Sequence, residues 1–152
     1  MDSSDVLNCV LTHFLGFVYI LMSLNNNDEL FLIDFEYGGW NPVAYDIANY
    51  LNEWCTDNAY PYESGVKIYL SNFPTNEEIE YISKCYQECS GSVPEDFVDQ
   101  IKRCMLLNNF YWAVWAFMML KPENYLNDKT FNYCYAAIRA QMYKHACKQF
   151  GM

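Results

Sequence analysis

The chain has 152 residues, a formal net charge of -10, 53% hydrophobic residues and only 18% charged ones. That is apolar mass enough for one domain with a packed core, and it excludes a disordered chain. Nine Lys and Arg against nineteen Asp and Glu exclude a nucleic-acid binder, which needs clustered cations for the phosphates.

An acidic field suits a cationic ligand, although a plain acidic surface has the same composition. The 14 Tyr, 10 Phe and 4 Trp read either as a dense core or as a stacking and cation-binding surface. Seven Cys occur without a CxxC pair or a Cys/His run at zinc spacing, so reduced cytosolic thiols are the simplest account.

In chain order, residues 6–24 are nearly all apolar. They lack a basic segment and a small-residue cleavage site, so they do not read as a signal peptide. Asn8, Thr12 and His13 interrupt the run and no Lys or Arg flanks it. The expectation is therefore a buried strand or helix and not a membrane anchor. Residues 19–24, the Asn25-Asn26-Asn27-Asp28 turn and residues 30–35 predict a β-hairpin, because Asn and Asp tolerate left-handed turn conformations. Its second strand would deliver Asp34 at its end.

After Pro42, the spacing of Ala44, Ile47, Ala48 and Leu51 predicts a helix. Asp46 and Glu53, seven residues apart, fall on one face of it. Residues 58–71 form a mixed, aromatic-rich connection. Thr75-Asn76-Glu77-Glu78 is a capping-box pattern and opens a helix to about Cys89, ahead of Gly91. Ser92-Val93-Pro94-Glu95 reads as a second box, opening a long helix over 95–120 that ends before Pro122. A last helix is expected over 128–149, stopped by Gly151. The fold class is α+β and mostly helical, a short hairpin followed by helices.

Ile33-Asp34-Phe35-Glu36-Tyr37 places a carboxylate at a strand end beside apolar anchors, one way to fix a metal ligand. Taken alone, strands also end in acidic residues for solubility. The continuation through residue 54, IDFEYGGWNPVAYDIANYLNEW, closely resembles the signature of the choline/ethanolamine kinases, without a gap. The resemblance implies a kinase-like C-lobe. In it Asp34 binds Mg²⁺, Glu36 supports the metal, and Asp46 is a buried structural residue bracing the catalytic loop.

Further on, Phe110-Tyr111-Trp112-Ala113-Val114-Trp115 resembles the family's helix with two Trp three residues apart, rings on one face. A Trp pair on an apolar helix is otherwise an ordinary core feature. Tyr135-Ala136-Ala137-Ile138-Arg139 resembles its Y-A-x-x-R segment. By that resemblance Tyr37, Glu53, Trp112, Trp115 and Tyr135 bind the substrate head group. A quaternary ammonium cannot donate a hydrogen bond and is held by ring faces, each worth ~0.5–2 kcal/mol. Tyr133 and Phe131 would line that pocket or pack behind it.

The family's catalytic loop, H-N-D-x-x-x-x-N, would precede the hairpin. His13 falls at about that distance, but the general-base Asp and both Asn are absent there, as is a Gly-rich loop with its Lys for ATP phosphates. The chain then reads as a single partial domain, residues 1–152, with 1–24 divergent from the family.

Two readings stay open. One is a truncated choline/ethanolamine kinase, inactive alone, whose parent uses ATP and Mg²⁺ to phosphorylate choline or ethanolamine. The other is a non-catalytic module that binds choline or pairs with itself or a full-length kinase. Both place it in the cytoplasm.

Overall fold

The computed structural model describes residues 41–58, 65–121 and 130–152, and the backbone of 19–22 and 30–33. Strands β1 (Tyr19–Met22) and β2 (Leu30–Ile33) pair antiparallel, Tyr19 opposite Ile33 and Met22 opposite Leu30. These are the two expected strands, beginning at the expected residues; residues 23–29 and 34–40 lie outside the described ones. The expected metal ligands Asp34 and Glu36, with Tyr37, lie outside the described residues, as does the apolar run upstream of β1.

Helix α1 (Val43–Glu53) follows Pro42, whose fixed φ suits a helix entry. It buries Ala44, Ile47, Ala48 and Leu51, the four residues its periodicity marks, and also Asn52. The chain then turns at Trp54 and forms a short antiparallel pair, β3 (Thr56–Asp57) with β4 (Lys67–Ile68). The Tyr69 N–H extends it by donating to the Cys55 carbonyl at 2.8 Å. The sequence reading treats this stretch as a plain connection; two-residue strands are too short for an alternation signal. A 3₁₀ turn (Leu70–Asn72) leads to α2 (Asn76–Ser90).

The Thr75–Glu78 capping box is fully formed. The Glu78 N–H donates to Thr75 Oγ1 at 3.2 Å, and the Thr75 N–H donates to Glu78 Oε2 at 2.8 Å. Gly91 ends α2 at φ 83°, a left-handed conformation that disfavours a Cβ.

The second expected box does not form. Glu95 and Asp96 make a turn in which the Phe97 N–H donates to the Pro94 carbonyl, and α3 (Phe97–Met118) starts two residues late with Asp96 as N-cap, its side chain accepting from Gln100 Nε2 and not from a backbone N–H. The last helix, α4 (Phe131–Phe150), begins after Thr130 and ends at Gly151, φ 70°; residues 122–129 are not among the described ones.

Helix α3 is the spine. Its 22 residues reach ~33 Å at 1.5 Å per residue. Phe97, Ile101, Met105, Asn108, Asn109, Trp112 and Ala116 form its buried stripe, with α1 and α4 packed on it and α2 touching it lightly. From α4 the core receives Tyr135, Ala136, Ile138, Met142 and Ala146. The opposite flank of α3 is also apolar, with Leu107, Phe110, Val114, Phe117 and Met118 exposed. The C-terminus of α4 is tied down by Gln149, whose amide donates to the Pro74 carbonyl at 2.8 Å, and by Phe73 against His145 and Phe150. Among the described residues no helix is long and apolar enough to cross a membrane, and the six described cysteines are free thiols.

Candidate functional site

A buried polar cluster lies where α1, α3 and α4 meet. Two Asn-bearing faces set it up. Asn52 of α1 donates to the Met105 carbonyl (3.1 Å) and to Asn108 Oδ1 (2.9 Å). Asn109 donates to Asn52 Oδ1 (2.9 Å) and to the Met105 carbonyl (3.0 Å), and Asn108 donates to Asn49 Oδ1 (2.9 Å). Asn52, Asn108 and Asn109 are fully buried, so these bonds replace the water each amide loses.

Arg139 enters this cluster from α4, itself 0% exposed. Its Nη2 pairs with Glu53 Oε1 and donates to Tyr135 Oη at 2.6 Å, while Nη1 donates to Asn109 Oδ1 at 3.3 Å. Burial alone would lower the guanidinium's pKa; Glu53 and Tyr135 outweigh it and the net shift is upward, so the group stays charged. Glu53, the last residue of α1, is 28% exposed. Its Oε2 accepts from Thr56 Oγ1 (2.8 Å) and Asn58 Nδ2 (3.3 Å), donors supplied by β3 and the residue after it. Behind Glu53, burial pushes the Cys55 thiol up to about 12, with Arg139 opposing and Glu53 adding to the shift.

Tyr135 carries the cluster to the aromatic side chains. Phe131, one turn earlier, stacks on it with centroids 5.5 Å apart and planes at 20°; Arg139, one turn later, sets its guanidinium carbon 4.9 Å from the ring centroid. The Trp112 and Trp115 rings meet nearly at right angles, centroids 5.1 Å apart, and each also meets Tyr135 edge to face at 6.4 and 6.5 Å. Trp112 and Tyr135 are buried and Trp115 is half-buried, so the rings form a corner whose outer wall is Trp115.

Four of the five residues expected to bind the head group, Glu53, Trp112, Trp115 and Tyr135, thus join in one run of contacts through Arg139; Tyr37 lies outside the described residues. Phe131 packs against Tyr135. Asp46 is placed elsewhere, in the first turn of α1, half-buried instead of buried. Its charge, after burial itself, raises the pKa of Tyr86 on α2. Asp46 and Glu53 therefore serve opposite ends of their helix. Among the described residues no group of three or more His, Cys, Asp or Glu could hold a metal ion.

The sequence reading gives no role to Arg139, Asn52, Asn108 or Asn109. Their signal was present: single polar residues at core-facing positions of apolar helices must find partners.

Comparison with known proteins relates the chain to one family. The profile described as Choline/ethanolamine kinase matches residues 8–144. A choline/ethanolamine kinase of Homo sapiens is 27% identical over 140 residues, 84% of this chain and 34% of that protein. A probable choline kinase 2 of Arabidopsis thaliana is 30% identical over 118 residues, 74% of this chain and 32% of the relative. The chain thus spans about a third of the length of these curated relatives. The crystal structure of a choline kinase from Cryptosporidium parvum Iowa II superposes with a TM-score of 0.69 at 17% identity, covering 96% of this chain and 42% of that one, which gives the kinase-like fold. With residues 8–144 of its 152 matched by the profile, this chain belongs to the choline/ethanolamine kinase family.

Proposed function

We propose that this chain supplies the acceptor-binding part of a choline/ethanolamine kinase, whose reaction passes the ATP γ-phosphoryl group to the hydroxyl of choline or ethanolamine. That step opens phosphatidylcholine and phosphatidylethanolamine synthesis, and we place it in the cytoplasm. The observation that supports the reading is the joining of one partly exposed carboxylate, Glu53, to the Trp112, Trp115 and Tyr135 rings through Arg139. Ring faces bind an ammonium that carries methyl groups in place of hydrogen-bond donors, and the carboxylate end of the Glu53–Arg139 pair adds a dipole to them, not a full counter-charge.

Held by the head group, the substrate would present its hydroxyl away from the rings, so that chemistry is separated from recognition. Asp34 and Glu36 are hard oxygen donors of the kind Mg²⁺ takes, and we propose them as its ligands; the ion would neutralise phosphate charge. No Asp stands at catalytic-loop spacing upstream of β1. We therefore read the chain as binding the acceptor without turning it over by itself.

Calorimetric titration of choline and then ethanolamine into the purified chain tests this. Saturable binding that Trp115→Ala weakens at least tenfold is the expected result. A chain folded by circular dichroism that gives no heat with either amine refutes the acceptor-binding reading.

A further inference from the structure

We propose that Arg139 is a positioning residue that sets the head-group preference of this site, by occupying Glu53 from the buried side so that the site favours a trimethylated over a primary ammonium. The inference rests on the acceptor-binding reading and deepens it.

A carboxylate has about four lone-pair positions. In Glu53 three are already taken: Oε1 by Arg139, and Oε2 by Thr56 and Asn58. Its formal charge is matched by a guanidinium that is 0% exposed and held in turn by Tyr135 and Asn109. The pair therefore presents a dipole to the open side of the site, in place of a net negative charge.

A primary ammonium is strongly hydrated and carries three N–H donors. Leaving water for this site would cost it hydrogen bonds that a saturated carboxylate does not return. A trimethylammonium group has no donors to satisfy and gains from ring faces instead. Arg139 also fixes those rings: it clasps Tyr135 at its hydroxyl and over its face, and Tyr135 is the ring both Trp112 and Trp115 meet. One buried residue thereby lowers the carboxylate's pull on small ammonium ions and holds the corner that suits a bulky one.

The experiment titrates choline, dimethylethanolamine, monomethylethanolamine and ethanolamine into the full chain and its variants, reading the ratio of the ethanolamine to the choline Kd. A loss that is merely structural weakens all four amines together and leaves that ratio unmoved. The wild type is expected to bind more weakly with each methyl removed. In Arg139→Met the ratio should fall by about tenfold, the equivalent of one hydrogen bond to a freed charged group, and Arg139→Lys should restore most of it. Should Arg139→Met not fold, the double variant Thr56→Val/Asn58→Ala frees Oε2 without touching the buried cation, and its ratio should fall in the same direction. A ratio unmoved in the folded variants, or not restored by Lys, overturns the inference while leaving the acceptor-binding reading standing. A folded wild type that binds none of the four amines overturns both.

Discussion

Glu53→Gln is the perturbation that bears most directly on what holds the three-helix junction. The substitution keeps the side chain's shape and its oxygen but removes the charge opposite Arg139. Removing one partner of a buried ion pair costs about 3–5 kcal/mol when the other charge is stranded. Here the stranded group would be the guanidinium, 0% exposed. The Gln oxygen still accepts one bond, so the cost should fall below that range or at its edge, about 2–3 kcal/mol. The reverse change, Arg139→Met, strands a carboxylate that is 28% exposed and keeps its bonds from Thr56 and Asn58. That charge can rehydrate, and the loss should be only about 1–2 kcal/mol, mostly from Asn109 and Tyr135 losing a donor.

The two costs are therefore unequal, and the double variant should be more stable than Glu53→Gln alone, because the stranded cation is gone. Urea unfolding followed by far-ultraviolet circular dichroism reads all three. With a slope of about 1–3 kcal/mol per M, Glu53→Gln should lower the midpoint by roughly 1–2 M. A cost below about 1 kcal/mol for Glu53→Gln, or a cycle that is additive to within ~0.5 kcal/mol, would refute the view that this pair is coupled and locks the junction.

Three further expectations come from other parts of the chain. Asn109→Leu leaves Arg139 Nη1 and Asn52 Oδ1 without their partner; it should cost about 2–4 kcal/mol by the same unfolding measurement. Thr75→Ala breaks the formed capping box and should cost about 1 kcal/mol, whereas Ser92→Ala, where no box forms, should stay within about 0.5 kcal/mol. Cys55, raised from 9.0 to about 12, should react with a thiol reagent last of the described cysteines and exposed Cys89 first. Because the folded state holds a proton that the unfolded chain releases, the Cys55 contribution is full below pH 9 and is lost as the pH rises towards 12, which an alkaline unfolding series checks.

Periodicity and capping chemistry made most of the helical architecture legible. Ala44, Ile47, Ala48 and Leu51 repeat at helical spacing and are all buried. Thr75 and Glu78 carry a reciprocal bond that needs only those two side chains and three residues of helix. Ser92 to Glu95 has the same end residues in kind, Ser and Glu three apart, yet no box forms: a turn in which the Phe97 N–H donates to the Pro94 carbonyl comes first and the helix starts at Phe97. A local pattern is decisive only where the helix starts at the residue that the pattern marks. The β3–β4 pair was illegible for a different reason: its two-residue strands have no period, and they pair Thr56 with Ile68 and Asp57 with Lys67 across an intervening loop.

The aromatic part of the site was legible only through the family pattern, since Trp112 and Tyr135 are as buried as any core ring. That Arg139 needs a buried partner was legible, but which partner it takes was not, and the reason is geometric. Glu53 and Arg139 are 86 residues apart, and their contact exists only once α1 and α4 both lie on α3. The same packing buries Asn52 against Asn109, so the polar junction and the helix arrangement specify each other. An arginine that read as the last letter of a short motif thereby becomes a group that touches all three helices, bonding Glu53 of α1 and Asn109 of α3 from its own place on α4. A substitution there should be felt at once in the packing of the fold and in the shape of the corner that Trp115 leaves open.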